Sequence, residues 1–128
     1  MAAGDLKGEE CIVIKAAAGG AVAIGDLVHI EADGYWDKTA SGDTGKFGVA
    51  LDAAAAEKDL IRVCIYGPVE VASSAAAINA GAYVIADAGV VADAGVIAET
   101  TVYGTIVGTA LGAVPAAGGN LTVFVGLM

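Results

Sequence analysis

The chain has 128 residues, of which 29 are alanine and 19 glycine. Only 16% are charged while 57% are hydrophobic, so the low-hydrophobicity, high-charge class of disordered chains is excluded. The formal charge of -9 comes from 15 acids against 6 bases, and all six bases lie at or before Arg62, which argues against nucleic acid and acidic membranes as partners, since both recruit clustered Lys and Arg.

Met1 to Glu10 carries early acids and no apolar core segment, so it does not read as a secretory signal. Leu6, Ile12, Val13 and Ile14 lie beside Lys7, Glu9, Glu10 and Lys15, ahead of Gly19-Gly20. A short apolar strand with charged flanks and a Gly-Gly hinge is suited to adding itself to another sheet's edge. Pairing of Cys11–Lys15 within its own domain is the alternative. Residues 1–20 are therefore set apart as an arm or first strand, and 21–128 as a single β domain.

Apolar alternation over four to eight positions, bounded by Gly, Asp, Asn or Ser, predicts strands at Cys11–Lys15, Asp26–Glu31, Tyr35–Thr39, Lys46–Leu51, Leu60–Tyr66, Tyr83–Ala86, Val90–Ala92, Val96–Ala98, Val102–Val107 and Leu121–Leu127. Ala72–Ala80, with Ser73 or Ser74 as N-cap and Gly81 beyond its end, is the one predicted helix. Gly42-Asp-Thr-Gly-Lys-Phe47 looks like a phosphate loop but has Ala40 and Phe47 where the motif needs Gly and Ser or Thr, so it reads as a hairpin tip. Glu31, Asp33, Asp37 and Asp43 around it lack the EF-hand spacing and read as a solvated acidic rim. Tyr35 and Trp36 are either an aromatic platform for a sugar or partner, or hairpin residues packed on their own sheet.

The Asp-Ala-Gly copies at 87–89 and 93–95 read as turns. The uncharged tail from Thr100 is interrupted by six glycines and Pro115, which argues against a membrane helix. His29 is the only histidine, and Cys11 and Cys64 stand 53 positions apart. Neither a metal site, a cofactor site nor a catalytic nucleophile is expected from such a set, and no enzymatic activity. The two thiols read as buried and reduced.

An internal repeat runs through these strands. Gly25–Val28 matches Gly81–Val84 and Phe47–Leu51 matches Tyr103–Val107 at an offset of 56, while Leu60–Tyr66 matches Asn120–Gly126 at 60. That arrangement predicts halves of about 21–71 and 77–128, four extra residues between Thr109 and Gly119, and Ile61, Val63, Ile65, Leu121, Val123 and Val125 as core. The expected fold is all-β, a small barrel or sandwich of two pseudo-repeated halves with at most one short helix. Because 48 positions are Gly or Ala, the core is thin and oligomerisation is expected.

Gly8–Gly20, Val22–Val28, Phe47–Ala55, Arg62–Glu70 and Ala80–Val84 together resemble the small decoration, or cement, proteins of phage heads, which share an apolar Gly-Gly then G-D-x-V step, a G-V-A strand and a V-x-V-x-G-V strand. Pro68 departs from that pattern, as does the long acidic stretch between Ala32 and Gly45. The resemblance implies a virion structural protein, made in the host cytoplasm and seated on the outer face of an icosahedral capsid. Its partner would be the major capsid protein, whose subunit contacts it reinforces, usually as a trimer. The capsid-binding candidates are Leu6, Ile12, Val13 and Ile14, with Tyr35 and Trp36 as the alternative contact surface. A carbohydrate-binding or adhesive module centred on Tyr35 and Trp36 is the rival function.

Overall fold

The computed structural model describes residues 3–4, 11–40, 43–74, 76–93 and 106–126. Nine strands are present among the described residues: β1 (Ile12–Ala17), β2 (Leu27–Ile30), β3 (Trp36–Lys38), β4 (Phe47–Ala50), β5 (Leu60–Ala72), β6 (Tyr83–Ala86), β7 (Val91–Asp93), β8 (Ile106–Ala110) and β9 (Asn120–Val125). All ladders are antiparallel, in the order β3-β2-β4-β5-β9-β8-β6-β7 with β1 also on β5. The all-β reading holds. The predicted strand at Val96–Ala98 lies outside the described residues, as does the beginning of the one at Val102–Val107.

The sheet curls into two similar units that share β5. Leu60 to Tyr66 pairs with β1 and β4, whereas Gly67 to Ala72 pairs with β9. At the changeover Gly67 has φ of +115°, a backbone only glycine adopts readily, and this lets one strand run through what the alternation predicts to be its end at Tyr66. Pro68 is tolerated because, among the described residues, this second stretch of β5 has a single ladder neighbour, β9, and an edge strand can spare an N–H. The first unit, β1-β5-β4-β2-β3, is drawn closed by a parallel bridge between Ala18 and Trp36, and the second by one between Ser73 and Val91.

The ladders correct the repeat. Leu27–Val49 and Val28–Gly48 pair in the first unit as Tyr83–Thr109 and Val84–Gly108 do in the second. Ala50–Val63 likewise corresponds to Ala110–Val123. Phe47-Gly-Val-Ala-Leu51 therefore matches Val107-Gly-Thr-Ala-Leu111 at an offset of 60, not Tyr103–Val107 at 56, and the extra residues fall before β8 rather than between Thr109 and Gly119. Tyr103-Gly104 imitates Phe47-Gly48 locally, but register is decided by pairing. The repeat also begins earlier than Gly25. β1 on the first part of β5 is the counterpart of the second part of β5 on β9, so Ile12–Ala17 belongs to the repeated unit and to the sheet.

No helix forms among the described residues, and where the sequence predicts one at Ala72–Ala80 the described residues form the end of β5, isolated bridges at Ser73 and Ile78 and the start of a turn. The backbone groups of this stretch are taken by neighbours: Ser73 N–H donates to Gly119 O at 2.8 Å, Ser74 N–H to Val91 O at 2.8 Å, and Ile78 exchanges both backbone bonds with Val114. Ile78 is fully buried. Alanine's helix propensity is worth only tenths of a kcal/mol per residue, roughly 0.5, and loses to such burial.

Each unit has its own core. Ala16, Ala18, Val22, Val28, Trp36, Ala50, Ala54, Ile61 and Val63 fill the first. The larger cluster holds the second unit's interior, including Val71, Ile78, Val91, Val114, Leu121 and Val123, together with Leu27, Phe47, Val49, Leu51 and Cys64 from the opposite face of the first unit. That double burial is why all four residues of β4 are buried. Of the predicted core, Ile61, Val63, Leu121, Val123 and Val125 are buried, and Ile65 is half-buried where the β1–β5 register slips between Ile12 and Val13. The two interiors exchange volume. Ala16, Val22, Ala54 and Trp36 occupy the places of Val71, Ile78, Val114 and Val91, so one indole does in the first unit what several added methyl groups do in the second.

A polar clasp ties the units together. Buried Thr39 donates its hydroxyl to Asp87 O, and its own O and Oγ1 accept from Gly89 N–H at 3.0 and 3.1 Å. Gly89 O in turn accepts from Leu27 N–H at 3.0 Å. The first Asp-Ala-Gly copy is a turn, as read from the sequence, with Ala88 N–H bonded to Asp87 Oδ1 at 2.8 Å; the second lies almost wholly outside the described residues.

Candidate functional site

β1 pairs with β5 along one edge, and among the described residues the other edge meets β3 only through the Ala18–Trp36 bridge just beyond its end. The strand is therefore part of the domain's sheet and, among the described residues, offers an open edge, which is a template for pairing with another chain. Alternation sends Ile14 and Ala16 inward, opposite Val63 and Ile61. Ile12 and Val13 are 53% and 38% exposed, while Ile14 is half-buried against the first core. Leu6 lies outside the described residues.

Around this edge the fold assembles an apolar strip that the linear sequence does not show. Ile12 sits opposite Tyr66, which is exposed, and the Tyr66 ring meets Phe124 edge-on at 5.1 Å between centroids. Lys15 faces Arg62 farther along the same ladder. Arg62 grips Asp52 through Nε at 3.0 Å and Nη2 at 2.9 Å, and these hydrogen bonds hold the Asp52 carboxyl down to about 2. The strip is thus apolar at one end and charged at the other.

The other candidate surface does not survive. Trp36 is 5% exposed and sits in the first core, so its ring is no platform for a sugar; β3 is short, and the Ala18 bridge turns Trp36 inward. Tyr35 is half-buried, its N–H bonded to Asp33 Oδ1 at 3.0 Å. The acidic rim does gather a histidine. His29 Nε2 is 3.1 Å from Asp43 Oδ2 and 3.6 Å from Glu31 Oε1, Nδ1 is 3.1 Å from Thr44 O, and the ring stacks on Phe47. Every one of these contacts serves the hairpin itself. Among the described residues no group of three or more His, Cys, Asp and Glu is placed to hold a metal ion. A cleft between the units, lined by Lys46, Phe47, Ile106 and Val107, has room for about one water molecule.

Beneath the strip lie the two cysteines, both thiols rather than a disulfide. Cys64 is fully buried and Cys11 half-buried against the same cluster. Desolvation pushes the Cys64 thiol up from 9.0 to about 11, its hydrogen bond to Tyr66 O opposing and Cys11 adding to the rise. The unfolded chain ionises this thiol first, so the folded state binds one more proton between those values and stability falls as pH rises through them. The expected loss is about 2 kcal/mol, measured as melting temperature below pH 9.0 and near pH 11. A Cys64→Ala variant should lose that part of the slope.

Residues 2–65 match the family described as phage cement protein, a stretch that spans β1 to β4 and the first part of β5. Among solved structures the chain is similar to the crystal structure of the head fiber gp8.5 N base of bacteriophage phi29, with a TM-score of 0.60 and 18% identity over 90% of this chain and 93% of that one. No curated protein matches significantly. The second unit repeats the matched one strand for strand, and the chain belongs to the phage cement protein family, as a capsid-associated structural protein of the virion.

Proposed function

We propose that the protein sits on the outer face of an icosahedral phage head and reinforces contacts between major capsid protein subunits, without catalysing any reaction. The observation that carries this is the edge of β1 that is open among the described residues, inside the family-matched region, with Ile12, Val13 and Tyr66 exposed beside it. Backbone groups along that edge supply affinity, and the alternate side chains supply specificity. A trimer completes the reading. Ile24, Leu60, Tyr83 and Leu111 are also exposed, and threefold association around a capsid axis would cover part of such surface.

The test is co-pelleting with capsids and the temperature at which those capsids open. Ile12→Asp and Val13→Asp change exposed side chains, so both variants should keep the wild-type melting temperature to within about 1 kcal/mol of stability. They should lose at least tenfold in capsid affinity and no longer raise the opening temperature. Undiminished co-pelleting by both would move the contact away from β1, and single copies on capsids by cross-linking would remove the trimer.

A further inference from the structure

Cys11 and Cys64 are far apart in sequence and close in the fold. The register sets Val13 opposite Cys64 and Ile12 opposite Tyr66, so Cys11, just ahead of β1, is a diagonal neighbour of Cys64 across the ladder. The Cys11 side chain packs on the core cluster that contains Cys64 and is near enough to add to the upward push on the Cys64 thiol. Both sulfurs also point at carbonyls of one strand, Cys11 Sγ at Pro68 O (3.6 Å) and Cys64 Sγ at Tyr66 O (3.5 Å).

We propose that this pair is an oxidative modification site at which an intramolecular disulfide forms and pins the start of β1 to β5. A low-molecular-weight disulfide is the oxidant. The Cys11 thiolate attacks one of its sulfurs, a mixed disulfide forms, and one small thiolate leaves and takes up a proton. Cys64, its proton passed to water, then attacks the Cys11 sulfur and expels the second small thiol. Two protein thiols are oxidised and one small disulfide is reduced to two thiols. Half-exposed Cys11 meets the oxidant first, and buried Cys64 resolves the intermediate. Diagonal strand neighbours lie roughly 7–8 Å apart at Cα, slightly beyond disulfide reach. Closure therefore needs a small shift of Cys11, which lies outside the β1 ladder.

The cytosol keeps such thiols reduced and the extracellular medium oxidises them. The bond would form after particles leave the cell and would rigidify the edge that grips the capsid, a consequence that rests on the proposed function; the cross-link itself does not.

The purified full chain is incubated with oxidised glutathione, unfolded, alkylated and digested with trypsin. The expected product has lost two hydrogens and joins the peptide Gly8–Lys15 to the peptide Val63–Met128, as cleavage at Lys7, Lys15 and Arg62 dictates. The melting temperature should rise by roughly 5–10 °C through closure of the long loop and return with dithiothreitol. Cys11→Ser, at a half-exposed position, should fold and show neither change. A glutathione adduct on Cys11 that never resolves, cross-links between chains, or an internal bond without a stability gain would each overturn the proposal. Because these readouts use the protein without capsids, a failure of capsid binding bears on the function alone.

Discussion

Replacing Gly108 with alanine is expected to destabilise the protein by about 3 kcal/mol or more, at the upper end of what overpacking costs. A β-carbon there would collide with the Phe124 carbonyl and come within 2.9 Å of its carbon and 3.1 Å of Val125 Cα, all backbone atoms of β9. Backbone in the middle of a ladder cannot swing aside. Its counterpart Gly48 has a Val63 methyl and Cys64 O at 2.9 Å in the same place, so Gly48→Ala should cost less, because a side chain can yield part of the space. Gly112, whose nearest neighbour would be Thr122 N at 4.0 Å, is the control and should tolerate alanine. Urea unfolding of the three variants gives the order Gly108, Gly48, Gly112. Equal midpoints for Gly108→Ala and Gly112→Ala would show that β8 and β9 do not approach this closely.

Trp36→Ala should cost about 3–5 kcal/mol, the usual penalty for emptying a buried indole site, which is a large share of the roughly 5–15 kcal/mol that holds a domain folded. The ring shares its core with four alanines, Ala16, Ala18, Ala50 and Ala54, whose methyl groups cannot reach inward to fill the hole. The second unit suggests its own remedy. Installing that unit's residues through Trp36→Val with Ala16→Val and Ala54→Val should recover at least about 1 kcal/mol relative to Trp36→Val alone, since the added methyl groups restore lost volume. Calorimetric melting of these variants checks both statements. Additive losses, with no recovery in the triple variant, would sink the equivalence of the two interiors. A sugar platform predicts the opposite pattern for Trp36→Ala, unchanged stability with lost binding, and the indole's burial already opposes it.

Alternation of apolar side chains placed seven of the nine described strands where they occur, reached only Ile106 and Val107 of β8 and missed the second half of β5, because a strand's two-residue period and its bounding turn residues are local properties whereas the limits of β8 follow from its ladders. Repetition likewise showed in Leu60–Tyr66 and Asn120–Gly126, where three apolar residues match in phase. Whatever depended on pairing was decided by the tertiary structure. Pro68 marked a strand end in sequence, yet the strand continues because Gly67 lets it change partners. Tyr103-Gly104 was the match that the sequence offered for Phe47-Gly48, and only the ladders of β8 to β6 and β9 set Val107-Gly108 in that place instead. The alanines before Gly81 spelled a helix, but β7, the Gly119 turn and Val114 claimed the backbone bonds a helix would have used. For the candidate site, Ile12 and Val13 were readable as an apolar strand near the N-terminus. Their grouping with Tyr66 and Phe124, and the meeting of Cys11 with Cys64, were not, because contacts between residues more than fifty positions apart follow from which edges the sheet joins and in what register, and no local pattern encodes that.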